Sequence, residues 1–267
     1  MGGGFLPLKT FILTLAYIWS FGAFAAPASV TAQYVISIGG TIVARADIKL
    51  VDDGKSYTLD MDAKISGLGN LVARGSAAIS VSGTSTDTSL FGNDFILQTT
   101  TPQGNSRTTV SYIQRNVAAF YSDPPQPPHF DQIALQRSQL RNVNDMLSAF
   151  VIKSPELGPQ ICNRTLKIFT GVERLDLKLR YASAENATSP RTGYQGPVIL
   201  CQIKYNPISG HYANSEVTNY LQNSERILIW YAPVAGSDLF IPYRVLIGTT
   251  FGDLSMVLTG MTNDGRD

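Results

Sequence analysis

From Gln33 onward, polar and apolar residues alternate with a period of two. Tyr34, Ile36 and Ile38 face one way, Val35 and Ser37 the other, and Gly39-Gly40 supplies a hairpin turn. The chain resumes at Thr41 with Ile42, Ala44, Ala46, Ile48 and Leu50 on one face and Arg45, Asp47 and Lys49 on the other. Such a strand belongs to a sheet buried on one side and wet on the other. Asp52-Asp53-Gly54 turns the chain again, after which Tyr57, Leu59 and Met61 alternate against Asp60 and Asp62. The same pattern predicts strands over 71–81, 88–99 and 107–113, with a continuation through 117–121. Connections of two to five Gly, Asn, Asp or Ser residues leave no room for crossover helices. The N-terminal half therefore reads as an antiparallel meander, and parallel α/β architecture is excluded for it.

The middle of the chain breaks this rhythm. Asp123-Pro-Pro-Gln-Pro-Pro128 cannot join a sheet interior and reads as a stiff connector rather than a docking peptide. Between Arg141 and Lys153, the residues Val143, Met146, Leu147, Phe150 and Val151 recur at helical spacing. With Asn144 or Asp145 as a cap and Pro155 beyond, this predicts one short amphipathic helix whose apolar face plugs the sheet. Strand patterns return at 164–170, 174–181, 198–205, 226–232, 239–247 and 254–259. About a dozen strands form more sheet than a simple two-layer domain of this length holds, and large sheets curl or close to protect their edges. The expected fold class is all-β: a single curved antiparallel sheet forming an open or spiral β-barrel, with one short helix. No fixed internal period suggests a propeller or solenoid.

Targeting and charge narrow the setting. Residues 1–25 carry one charge, Lys9, then the apolar run Phe11 to Trp19 and the small-x-small triplet Ala23-Phe24-Ala25. This reads as a signal peptide cleaved after Ala25. The apolar run is short for a membrane span, which needs about 20 apolar residues, and no Cys at the cleavage point offers a lipid attachment. Residues 26–267 are then expected to form a single β-rich domain, exported to the periplasm, with no stable membrane span after cleavage. Lys+Arg total 21 against 20 Asp+Glu, so no field steers the chain to nucleic acid or anionic surfaces. The two cysteines, Cys162 and Cys201, both lie in the exported part. In an oxidising compartment such a pair is expected to be a structural disulfide, since a redox-active pair would normally be C-x-x-C.

Several motifs, in order, carry a resemblance. Tyr34-x-x-x-x-Gly39-Gly40 is followed by Asp145-x-x-Ser148, Phe169-x-Gly171-x-x-Arg174-x-Asp176-Leu177, Cys201-x-x-x-Tyr205-x-x-x-x-Gly210 and Pro242-Tyr243-Arg244-Val245. Over roughly residues 33–260 the chain resembles the exported bacterial proteins grouped as domain-of-unknown-function family 3108 (DUF3108), especially alphaproteobacterial forms. The resemblance implies a curved, spiral or half-open antiparallel β-structure and no assigned activity, so it brings no catalytic residues. In outline that architecture is similar to periplasmic lipoprotein carriers and envelope-integrity factors, which hold an acyl chain or a protein partner in an apolar concavity; this is analogy at the level of fold.

Candidate chemistry is sparse. A Ser-His-Asp set would have to use His129 or His211. His129 sits in the proline connector, whereas His211 follows Ser209-Gly210 in a tight turn, and no Gly-x-Ser-x-Gly elbow occurs. His211 is the weak catalytic candidate, with Ser209 as its possible nucleophile and a structural turn histidine as the plainer reading. The C-x38-C spacing lacks the short ligand pairs of a zinc site, so no metal and no cofactor is expected. Asp52, Asp53, Asp60 and Asp62 read as surface acids, and the Asn163 and Asn186 glycosylation matches as coincidental. Twelve tyrosines and 12 phenylalanines supply material for an apolar pocket, although strand aromatics are usually core. The leading expectation is a non-enzymatic envelope protein with a lipid, lipoprotein or envelope-protein ligand. The alternatives are an envelope hydrolase using His211 and an outer-membrane β-barrel; against the barrel stand the charged face of Arg45, Asp47 and Lys49 and an ending without a terminal aromatic.

Overall fold

Alternation becomes strands, and the strands pair in nearly sequential order. The computed structural model describes residues 1–2, 28–66, 74–127, 129–250 and 252–263. The expected signal peptide thus lies outside the described residues, apart from Met1 and Gly2. The first meander comprises β1 (Ala28–Ile38), β2 (Thr41–Asp52), β3 (Ser56–Ile65), β4 (Ser76–Ser85), β5 (Leu90–Thr101), β6 (Gly104–Ile113) and β7 (Asn116–Asp123). After the two-residue β8 (Ile152–Lys153), the second comprises β9 (Thr165–Phe169), β10 (Arg174–Ala187), β11 (Gly196–Ser209), β12 (Ile227–Pro233), β13 (Leu239–Ile247) and β14 (Leu254–Asn263). A single α-helix, α1 (Glu216–Asn223), interrupts the second meander between β11 and β12.

The two meanders join into one sheet where the first strand pairs with the last. The order is β7-β6-β5-β4-β3-β2-β1-β14-β13-β12-β11-β10-β9, with β8 pairing β13 off this path. Val35 opposes Val257 at the junction, and a bulge between Gln33 and Tyr34 bends the strand there. The sheet is open: its terminal strands β7 and β9 approach without forming a ladder. Phe120 and Phe169 meet edge to face at 5.1 Å, and the Tyr112 hydroxyl donates to the Phe169 carbonyl at 3.2 Å. Asn144 covers the β9 edge through a parallel bridge to Ile168, which blunts an edge that would otherwise template foreign strands.

Sidedness is as the sequence predicts. Ala46 and Leu50 are buried while Arg45, Asp47 and Lys49 on the same strand are exposed. One buried cluster gathers Val30, Tyr34, Leu50, Leu59, Val81 and Phe95 from the first meander and adds Val198, Leu239 and Ile241 from the second. A second cluster surrounds the cysteines and includes Ile161, Leu179, Ile203, Ile229 and Phe240. Neighbouring residues of β11 and β13, Val198 with Ile199 and Leu239 with Phe240, therefore serve opposite cores. Strands buried on both faces read as apolar runs rather than strict alternation, as in Ile227–Pro233.

The amphipathic helix expected over 141–153 does not form. Residues 143–145 and 152–153 are held extended at both ends, by backbone bonds to Lys167 and Phe169 and by β8 pairing with β13. Only a single 3-10 turn, Ser148–Phe150, fits between them. The true helix, α1, is capped by Ser215, whose side chain accepts from the Thr218 amide, and it opens with Glu216 at the favourable end of the dipole.

Candidate functional site

The inner face of β1 sets one wall of an apolar cavity. Residues two apart on a strand share a face, so Val30, Ala32, Tyr34 and Ile36 point inward together. Ile48 and Leu50 of β2, Leu59 and Met61 of β3 and Met256 of β14 continue the wall. Opposite them lies the segment expected to be a helix, which contributes Met146, Leu147, Phe150 and Val151. Although the helix is wrong, its apolar residues do pack into the sheet, and they enclose a cavity of about 360 Å³. Tyr34 brings the one aromatic hydroxyl of this wall, and it is turned away to donate to the Pro242 carbonyl at 2.8 Å. Burial pushes the Tyr34 phenol well above its ordinary range, so the wall stays uncharged and almost wholly hydrocarbon.

A buried polar anchor fixes the inserted segment. The Asp145 carboxylate Oδ1 accepts from the Leu147 and Ser148 amides at 2.8 and 2.7 Å, so the residue read as a cap does cap, but a single turn. The Asn144 side chain donates to the Leu90 carbonyl at 2.8 Å, and its Oδ1 accepts from the Gly92 amide at 2.9 Å. Tyr57 donates to Ser148 Oγ at 2.6 Å. Two facing glycines make this possible, since Gly83 and Gly92 are directly paired across β4 and β5. A Cβ on Gly83 would lie 2.5 Å from the Tyr57 ring, and one on Gly92 would lie 2.6 Å from Asp145 Oδ2. The glycines are thus openings for the anchor, not merely flexible sites.

Asp145 is fully buried, and its Oδ2 has no hydrogen-bond partner. Burial raises its carboxyl pKa above the usual 3.8, while the amides of Ser148 and Leu147 pull it partly back. Burial, with Asp145 as a lesser cause, also holds the neighbouring Tyr57 and Tyr112 phenols neutral. An acid whose folded pKa is raised binds its proton more tightly in the native state. Its contribution is therefore complete below about 3.8 and is lost as pH rises toward the folded value. We expect Asp145→Asn, which keeps the Oδ1 acceptor, to flatten the fall of unfolding free energy with rising pH above about 4, measured by urea titrations of both proteins across pH 4–8.

The remaining candidates fall apart or change character. Ser209 Oγ donates to Gln139 Oε1 at 2.7 Å, and His211 Nδ1 is buried with no hydrogen-bond partner. The carboxylate that would orient a catalytic imidazole from Nδ1 is therefore missing. His129 is exposed, stacks on Phe130 and meets Tyr212 edge to face. Asp52 is not the surface acid expected: it is 5% exposed and pairs with Lys153 at 3.0 Å. Asp53, its neighbour, does stay in the turn, where it accepts from the Lys55 and Ser56 amides. Cys162 and Cys201 form a disulfide with Cα atoms 5.4 Å apart and both residues buried. Among the described residues, no cluster of three His, Cys, Asp or Glu could hold a metal, and no helix is long and apolar enough to cross a membrane.

Fold and site together define an open antiparallel β-sheet protein with an apolar inner cavity and a disulfide-braced second core. The chain belongs to the family described as Protein of unknown function (DUF3108), whose sequence profile matches residues 33–259. No curated protein and no solved structure matches it.

Proposed function

We propose that this is an exported, non-enzymatic protein of the bacterial periplasm that holds an elongated aliphatic chain, such as the acyl chain of a lipid or lipoprotein, and serves cell-envelope maintenance. The single observation that carries the reading is the cavity of about 360 Å³ with an almost purely hydrocarbon wall. Pockets for small molecules run from about 300 to 1,000 Å³, with a few polar groups that set orientation. A wall without such groups selects for hydrocarbon rather than for a polar metabolite. Filling an apolar void of about 360 Å³ is worth at most on the order of 9 kcal/mol at about 24 cal/mol per Å³. That is an upper bound because the cavity has a mouth. Export is supported by the residue pattern of 1–25 and by the disulfide, a bond that persists in oxidising compartments.

The outer-membrane alternative is poorly supported. A spanning barrel must close its hydrogen-bonded ring and turn apolar side chains outward. Here the ring is open, and the outward side chains of β2 are Arg45, Asp47 and Lys49 while Leu50 lines the interior.

Filling the cavity with protein tests the reading. Ala32 is 2% exposed and lines the wall, so an indole in its place would project into the void. Ala32→Trp is expected to weaken binding of a fluorescent long-chain fatty acid at least tenfold, with an unchanged far-ultraviolet circular dichroism spectrum. Equal binding by both proteins would refute the cavity as the site.

A further inference from the structure

The apolar face of β1 does not end at Ile36. The next residue on the same face of β1 is Ile38, which is 38% exposed and lines a separate apolar groove of about 500 Å³. The far side of that groove is α1, through Val217, Tyr220 and Leu221. Leu254 borders both spaces, and in the sheet it stands directly opposite Ile38. Met256 likewise stands opposite Ile36, so the cavity wall and the groove floor are one ladder of apolar cross-strand pairs. Followed along β1 from Val30 to Ile38, this track is about 26 Å long at about 3.3 Å per residue.

Two features mark the groove as more than a fold by-product. Val217 is 69% exposed although it begins an amphipathic helix, and its apolar side chain faces the groove rather than a core. The helix is also pinned where the groove requires it, since the Tyr220 hydroxyl donates to the Gly248 carbonyl at 2.7 Å and Leu221 packs on the second core. Alone, the cavity sits near the lower limit of ordinary ligand pockets, whereas cavity and groove together reach the upper half of that range.

We infer that the groove under α1 is the mouth of the binding site and the seat of the solvent-side half of the same aliphatic chain, with Leu254 at the junction. The inference rests on the proposed function and specifies where the chain leaves the protein. It makes a chain-length prediction. Each methylene that gains burial strengthens binding by up to about fourfold, so affinity rises with chain length beyond what the cavity alone accommodates.

The test is a length series of saturated fatty acids displacing the fluorescent probe from the full chain, Val217→Asp, Ile38→Asp and Ala32→Trp. Aspartate in the first turn of a helix favours the helix, so Val217→Asp changes the groove without undermining α1. The expected result is that both groove variants lose at least tenfold in affinity for the longest chains and stay within twofold of the parent for the shortest. Parent-like binding of every length by both groove variants, with Ala32→Trp defective, would overturn the groove and leave the cavity standing. Failure of the parent to bind any chain would overturn the cavity and the groove with it.

Discussion

Lys153→Met is expected to destabilise the protein by about 3–5 kcal/mol, because it strands a buried carboxylate. Lys153 and Asp52 are 6% and 5% exposed, and their side chains meet at 3.0 Å. The ammonium also donates to Ser85 Oγ at 3.1 Å and lies 3.5 Å from Asp238, which is partly exposed. One charge thus ties together β2, the end of β4, β8 and the turn before β13. Removing it leaves Asp52 with only the Gly54 amide, at 2.9 Å, to compensate its burial. For a domain of 150–250 residues the loss corresponds to a fall in Tm of roughly 6–20 °C. Removing both charges together, as Lys153→Met with Asp52→Leu, is expected to recover much of it, since replacing a whole buried pair by hydrocarbon is often neutral. Differential scanning calorimetry of the two variants separates the cases. A single variant that melts with the parent would mean that the pair is solvated.

The second large effect is expected from the disulfide. Cys162→Ala with Cys201→Ala should cost about 2–5 kcal/mol, with loop-closure entropy alone giving about 4 kcal/mol for a loop of this size. The bond joins positions 39 apart in sequence and links the segment before β9 to the middle of β11. Both cysteines are completely buried, among Ile161, Leu179 and Ile203. The replacement therefore also removes packing from the second core, while the cavity is built mostly from the first. Urea denaturation of the double variant is expected to show a lower midpoint. Fatty-acid binding well below that midpoint should be retained, which separates the brace from the site.

What the sequence makes legible is sidedness. The alternation of Ala44 to Leu50 against Arg45, Asp47 and Lys49 places strand, buried face and solvent face correctly, because a period of two is a local property that each strand carries by itself; Ile42, read on the buried face, is instead exposed next to a register shift between β1 and β2. The motif order also leads to the right family. The one helix the spacing predicts is absent for a physical reason. Val143, Met146, Leu147, Phe150 and Val151 have helical spacing, but the segment is pinned near its ends, where Asn144 bridges Ile168 and Ile152 pairs with Phe240, and these contacts distant in sequence override local propensity. The helix that does form, Glu216–Asn223, is only eight residues long, and its signals are the Ser215 cap and the short i, i+3, i+4 set Val217, Tyr220 and Leu221. Asp52 reads as a turn acid because its lysine partner lies 101 residues away. The cavity itself is not legible in the sequence, since its wall joins β1–β3 to β14 at the far end of the chain and to the inserted residues 146–151.

The measurement closest to the central claim is native mass spectrometry of the full chain, expressed with export to a bacterial periplasm and purified without detergent, alongside Ala32→Trp. The parent is expected to carry a discrete mass excess that organic extraction releases as a lipid or fatty acid, and Ala32→Trp is expected to fly bare. A parent that shows only its own mass, and takes up no long-chain lipid when incubated with vesicles, would contradict the assignment of the inner cavity as an aliphatic-chain site.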